Sequence, residues 1–238
     1  MHKQRPYKAA AVQGKDFIVV TCEHASNAVP AAFRKYFKSA AAKAALKTHR
    51  GYDIGALRVY RRLVSHLHPD FCSEGTFTRL LADLNRSLGN KNFFSEFTRD
   101  ATTADKERIA ALWHGHRDPI QEFVAQVLRH PKSAAAKTGK TRVIHIAIHS
   151  FTPILNGETR NTEIGLLYDP KRPAERTFVQ NLRSQILRAF QDRTPQKPRV
   201  RFNYPYTGYS DGLTTSLRKE FGEKYLGIEV EINQKLFK

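Results

Sequence analysis

Cysteine is scarce in these 238 residues: Cys22 and Cys72 are the only two. At most one bridge could form, and a chain of this length can bury a core without such a staple, so both thiols are expected to be reduced. Long hydrophobic runs are missing as well. No stretch approaches the roughly 20 apolar residues of a membrane span, and the short Tyr7–Gln13 segment after the basic Met1–Pro6 is too interrupted for the apolar part of a signal peptide. A cytoplasmic protein is the expectation. Acidic residues number 22 against 40 lysines and arginines, giving a net charge of +18. Such a field attracts polyanions. The basic residues, however, are scattered through segments such as Leu57 to His66 and Thr177 to Arg193, without the clustering and aromatic interleaving of a nucleic-acid module. A solvated basic surface, or an acidic small-molecule substrate, fits the same charge.

Hydrophobic residues make up 40% of the chain and charged residues 26%, which is the balance of a globular domain. One domain over 1–238 is expected. Asp16–Cys22 is a β-branched run suited to a buried strand, followed by a helical Ala31–Leu46 and by Asp53–His66 with apolar residues at helical spacing. Phe77–Leu84 reads as extended, and Ala104–His130 as a long helix that Pro119 kinks or divides. After a small-residue and lysine linker at Ser133–Lys140 comes the clearest strand, Arg142–Ile148. Strands at Glu163–Tyr168, Val200–Phe202 and Leu226–Ile232 then alternate with helices at Glu175–Phe190 and Thr214–Phe221. This alternation predicts a layered α/β domain.

Three polar residues stand where apolar strands run out: His24, His149 and Glu229. Strand ends are where α/β proteins assemble their ligand sites. A lone histidine there is commonly structural, whereas a carboxylate inside an apolar strand needs a cation, a metal or a proton to offset its burial. Taken together they match catalytic zinc, which takes three nitrogen or oxygen ligands and keeps an open position, with a separate carboxylate as base. Asp53 is the candidate third ligand, although an N-cap of the following helix is the plainer reading of its position. His49 and Glu23 are alternatives. His145, His114 and His116 are read as structural.

Six segments in order, Thr21–Asn27, His49–Ala56, Asp83–Arg86, His149–Pro153, Asn203–Tyr206 and Gly227–Val230, resemble the motifs of N-formylglutamate amidohydrolases over about residues 17–236. That family is similar to the zinc carboxypeptidases. The resemblance implies a three-layer α/β/α fold around a mixed sheet, of the phosphorylase/hydrolase-like kind, and one Zn2+ or other divalent ion per chain. It also implies a small anionic N-acyl amino acid as substrate. In the carboxypeptidases the first histidine and the acid share one short motif; here Asp53 lies 29 residues beyond His24, so the third ligand stays open.

By the same resemblance Asn85 and Arg86 receive the substrate carboxylate, Arg86 through its planar fork. Arg79 is a second basic candidate, for a side-chain carboxylate. Tyr206 and Tyr209 stand in a Pro- and Gly-containing loop able to cover a pocket, where a tyrosine hydroxyl can stabilise an oxyanion. Glu229 is the expected general base. Periodicity alone does not separate it from Glu231, which lies on the same strand face; the choice rests on the apolar flanks of Glu229 and on the polar residues after Glu231, which is expected to be solvated. Competing readings are a zinc carboxypeptidase or cell-wall peptide amidase, and a nucleic-acid-binding protein on an inactive hydrolase scaffold.

Overall fold

The computed structural model describes residues 16–129, 141–191 and 197–237; the expected linker at 133–140 lies outside them. Eight strands are seen among these residues: β1 (Asp16–Cys22), β2 (Phe71–Glu74), β3 (Arg142–Phe151), β4 (Ile154–Leu155), β5 (Glu158–Thr159), β6 (Ile164–Leu167), β7 (Val200–Phe202) and β8 (Tyr225–Asn233). The α-helices are α1 (Ala40–Leu46), α2 (Ala56–Leu67), α3 (Thr103–Arg129), α4 (Pro173–Gln191) and α5 (Leu213–Phe221). Six strands form one sheet in the order β2-β1-β3-β8-β6-β7. Only the β6–β8 pair is antiparallel, so the sheet is mixed as expected.

The side-chain alternation of β8 shows the layers. Tyr225 packs with Ile120, Phe123 and Val124 of α3 and with Leu213 and Leu217 of α5. The other face carries Ile228 against Val179 of α4 and Ile232 against Ala56 and Tyr60 of α2. Helices therefore cover both faces of the sheet, the three-layer α/β/α arrangement. No described helix is long and apolar enough to cross a membrane.

Several local expectations are corrected. The Ala31–Leu46 stretch is a 3-10 turn over Ala31–Phe37 followed by α1, which restarts where the Ser39 hydroxyl accepts from Ala42 N at 3.1 Å. Pro119 leaves α3 undivided. Phe77–Leu84 is not a strand; it folds as turns, with Leu81 N donating to Thr78 O and Asp83 N to Phe93 O. It buries Phe77, Leu80, Leu81 and Leu84 in a second cluster with Phe33, Phe37 and Phe93. Asp53 does not cap a helix. Gly55 holds that position at φ 83, in the left-handed region that favours glycine, and an added Cβ there would run into the Phe237 ring.

Candidate active site and metal centre

Parallel β1, β3 and β8 all end on one side of the sheet, and the polar residues expected there converge. His24 is the second residue after β1 and His149 is the eighth residue of β3. Asp53 arrives from a separate loop, tied in by its own N–H, which donates to His24 O at 2.9 Å. Freed from a capping role, its carboxylate points into the site. Oδ2 lies 3.0 Å from His149 Nδ1 and 3.4 Å from His24 Nδ1, and accepts from Ser150 N at 3.1 Å. One donor atom from each of His24, Asp53 and His149 falls within 4.8 Å of the others. That is the spacing of a single cation site.

The remaining ring nitrogens face carboxylates: His24 Nε2 is 2.7 Å from Asp83 Oδ1, and His149 Nε2 is 2.9 Å from Glu23 Oε2. Arg79 joins the two aspartates, with Nη1 at 3.3 Å from Asp53 and Nη2 at 2.7 Å from Asp83. Burial alone would raise the pKa of all three carboxyls, but their neighbours win. His24 and His149 hold Asp53 far below the usual carboxylate range, Arg79 and His24 do the same for Asp83, and His149 does it for Glu23. Conversely, burial would lower the histidines, yet Asp53 and Glu23 raise His149 well above its ordinary value, and Asp83 and Asp53 raise His24.

The charge balance tests whether a metal suits these residues. Three buried carboxylates meet one guanidinium, which leaves two negative charges to be matched by two histidine protons or by one dication. His24 Nδ1 is buried without a hydrogen-bond partner. Two imidazole nitrogens and a carboxylate oxygen form a donor set suited to zinc.

A cavity of about 420 Å³ opens from this cluster and is lined by His24, Asp53, Arg79, Asn85, Arg86, His149, Tyr206, Glu229 and Glu231 among others. Arg86 donates to Asp211 O, and its own carbonyl accepts from Trp113 Nε1 at 2.9 Å. Asn85 Oδ1 accepts from Leu213 N at 2.8 Å. The 203–212 loop is pinned rather than hanging free: Asn203 Oδ1 accepts from Tyr168 N and Gly208 N, Arg218 donates to Gly208 O, and Asp211 accepts from Ser87 N and Asn90. Tyr206 reaches the cavity, 45% exposed, with its hydroxyl 3.1 Å from Arg160 Nη1. Tyr209 is 54% exposed and is not a lining residue. Arg79 lines the same cavity, with both terminal nitrogens within ion-pair distance of aspartates.

Glu231 differs most from expectation. It is 5% exposed rather than solvated, because β8 continues to Asn233 and pairs Glu231 with His149 on one side and Gly165 on the other. Gly165 is needed there, since a Cβ would strike Tyr204 O. Glu231 Oε2 is buried without a hydrogen-bond partner. Desolvation, opposed by His149 and reinforced by Asp53 and Glu229, pushes its pKa up to about 8. Glu229 Oε1 instead accepts from Thr214 Oγ1 at 2.8 Å. Asp83, at 2.7 Å from His24 Nε2, is a further site residue that no local periodicity marks. Its only signal was the acid two residues before Asn85-Arg86. His145, read as structural, bonds Thr21 and Tyr225.

A family model for N-formylglutamate amidohydrolase matches residues 17–238. Among solved structures, the crystal structure of gene product Atu2144 from Agrobacterium tumefaciens is similar with a TM-score of 0.66. The two are 24% identical, and the match covers 94% of this chain and 82% of that one; at that identity the likeness shows the fold. No curated protein matches the chain.

Proposed function

The chain belongs to the N-formylglutamate amidohydrolase family, a family of hydrolases, and on that premise we propose that it uses one zinc ion to hydrolyse the amide bond of a small N-formyl amino acid such as N-formylglutamate. The observation that carries the reading is the convergence of His24, Asp53 and His149 at the wall of a cavity that also holds Arg86. At about 420 Å³ the cavity is near the small end of the roughly 300–1,000 Å³ usual for ligand pockets. That suits an amino-acid derivative better than the open groove a peptidase needs.

His24, Asp53 and His149 would hold the ion, which when bound supplies Lewis-acid polarisation of the formyl carbonyl and lowers the pKa of a nearby water. Arg86 receives the α-carboxylate and, with Asn85 beside it, orients the substrate. Glu231, on the wall next to His149, accepts the proton of the attacking water at Oε2. As the C–N bond breaks it passes that proton to the departing amine, giving formate and the free amino acid. Glu231 would be ionised for this step once the positive charge of a bound cation offset the desolvation that raises its carboxyl. The Tyr206 hydroxyl accepts from Arg160 and so keeps its own proton for the developing oxyanion.

Metal analysis of purified protein, followed by a hydrolysis screen over N-formyl and N-acetyl amino acids, tests the reading. One zinc per chain and preferred cleavage of an N-formyl substrate are expected. Full activity after complete metal removal, or no cleavage of any N-acyl amino acid by the loaded protein, would refute it. Arg86→Lys is expected to raise KM for the carboxylate substrate by about 10–100-fold, the worth of a charged hydrogen bond. It should affect the carboxamide analogue much less. Because Arg86 also bonds Asp211 O, some loss is common to both compounds. The difference between them is the measurement, and equal losses would remove Arg86 from carboxylate recognition.

A further inference from the structure

Glu23 is wholly buried and stands next to His24 within the matched segment Thr21–Asn27. By strand alternation it falls on the side of Thr21 and Val19, two and four residues before it, and this face of β3 carries Val143, His145, Ala147 and His149. Among the described residues its one close charged contact is Oε2 to His149 Nε2, 2.9 Å apart, an ion-pair distance with the bent angle of a poor hydrogen bond. Oε1 has no hydrogen-bond partner. Both nitrogens of the neighbouring His145 are committed to Thr21 and Tyr225. A carboxylate buried with so little compensation is costly unless it acts on its partner.

The arrangement on the other histidine shows what that action is. His24 turns Nε2 to Asp83 and Nδ1 towards Asp53, and His149 likewise turns Nε2 to Glu23 and Nδ1 towards Asp53. We propose that Glu23 is a positioning residue that keeps His149 in the Nε2–H tautomer, presenting the Nδ1 lone pair to the metal ion. The dipeptide Glu23-His24 thus supplies one ligand and the orienting group of another. It explains why Glu23, adjacent to a ligand in sequence, stands behind the site and is not itself a ligand. This inference rests on the metal-site reading above.

The test is zinc affinity, measured by competition with a chelating indicator, for the wild-type chain, Glu23→Gln and Glu23→Ala. It is joined by a 15N correlation spectrum of the histidine side chains in the zinc-loaded wild type. Affinity is expected to fall by about 10–100-fold in Glu23→Ala. It should fall less in Glu23→Gln, whose amide oxygen still accepts from Nε2–H. The spectrum should show the proton of His149 on Nε2 and the metal on Nδ1. Unchanged affinity in both variants, or a wild-type His149 protonated on Nδ1, would overturn the proposal. If Glu23→Ala fails to fold, Glu23→Gln and the wild-type spectrum decide. A wild type that binds zinc while its variants bind equally well refutes this role alone, whereas a wild type that binds none refutes the metal site itself.

Discussion

Glu231→Gln is expected to lower kcat by about 100- to 10,000-fold, the worth of a general base, while the metal content stays at the wild-type level. Glu229→Gln should cost much less. Both side chains share one face of β8 and both line the cavity, so the distinction lies in their neighbours. In the β3 register Glu231 is opposite His149 and Glu229 opposite Ala147, which places Glu231 beside the proposed ligand His149 and Glu229 one strand step away. Glu229 is partnered by Thr214 Oγ1, whereas Glu231 keeps a buried oxygen without a partner. An acceptor waiting for a proton needs that free oxygen. The amide of Gln keeps the shape and loses the basicity, so KM should change little, and activity should not recover at higher pH. The measurement is kcat with metal content for both variants. The reverse ranking would return the base to Glu229.

The error about Glu231 shows where sequence reasoning ran short. The apolar flanks of Glu229 were a sound reason to expect a desolvated carboxylate, but Ile232-Asn233-Gln234 reads as a polar ending. In the structure Asn233 Nδ2 is consumed by Thr162 O and Arg160 O, and β8 stays inside the sheet with β6 beside it. Burial of Glu231 is thus imposed by a strand whose pairing no local pattern reveals. Strands with β-branched runs were legible. β1 and β7 have the expected bounds, and β3 and β8 extend past theirs. The four-residue β2, Phe71–Glu74, was too short to show a period.

The site divides the same way. His24 and His149 were legible because each follows an apolar run, and a strand end is a position physics singles out. Asp53 was ambiguous, since an acid before a helix is ordinarily a cap. The structure brings it to 3.0 Å from a histidine 96 residues away, a contact no local pattern shows. Asp83 and Glu23 meet His24 and His149 only in the folded chain, across 59 and 126 residues, so no local pattern marks them. Arg79, the second basic candidate for a substrate carboxylate, lines the cavity with Asp53 and Asp83 at ion-pair distance, partners that its sequence neighbours do not disclose.

Replacing His149 with glutamine is expected to abolish stoichiometric zinc binding and, with it, measurable hydrolysis. Removing a ligand should cost more than the about 10–100-fold that an orienting carboxylate is worth. Glutamine is preferable to alanine because His149 lies between Glu23 and Asp53, both buried. Deleting one member of a buried charge pair costs about 3–5 kcal/mol, since it strands the other. Both variants remove the charge, but the glutamine amide can still donate to a carboxylate and fill the space, so His149→Ala should lower the melting temperature of the metal-free protein more than His149→Gln does. The pH dependence follows from the shifts. The folded pKa of His149 is raised, so its contribution to metal-free stability is full below the unfolded value and is lost as pH rises through the folded one. Asp53 and Glu23 are depressed, so theirs is present above the unfolded values and is lost on acidification. Zinc must displace the histidine protons to bind. Wild-type affinity should accordingly rise about tenfold per pH unit for each proton displaced, until pH passes the raised pKa of the site. In His149→Gln the residual affinity should climb less steeply, because one of those protons is gone. A variant that keeps one tightly bound zinc per chain, with the wild-type pH slope, would take His149 out of the metal site.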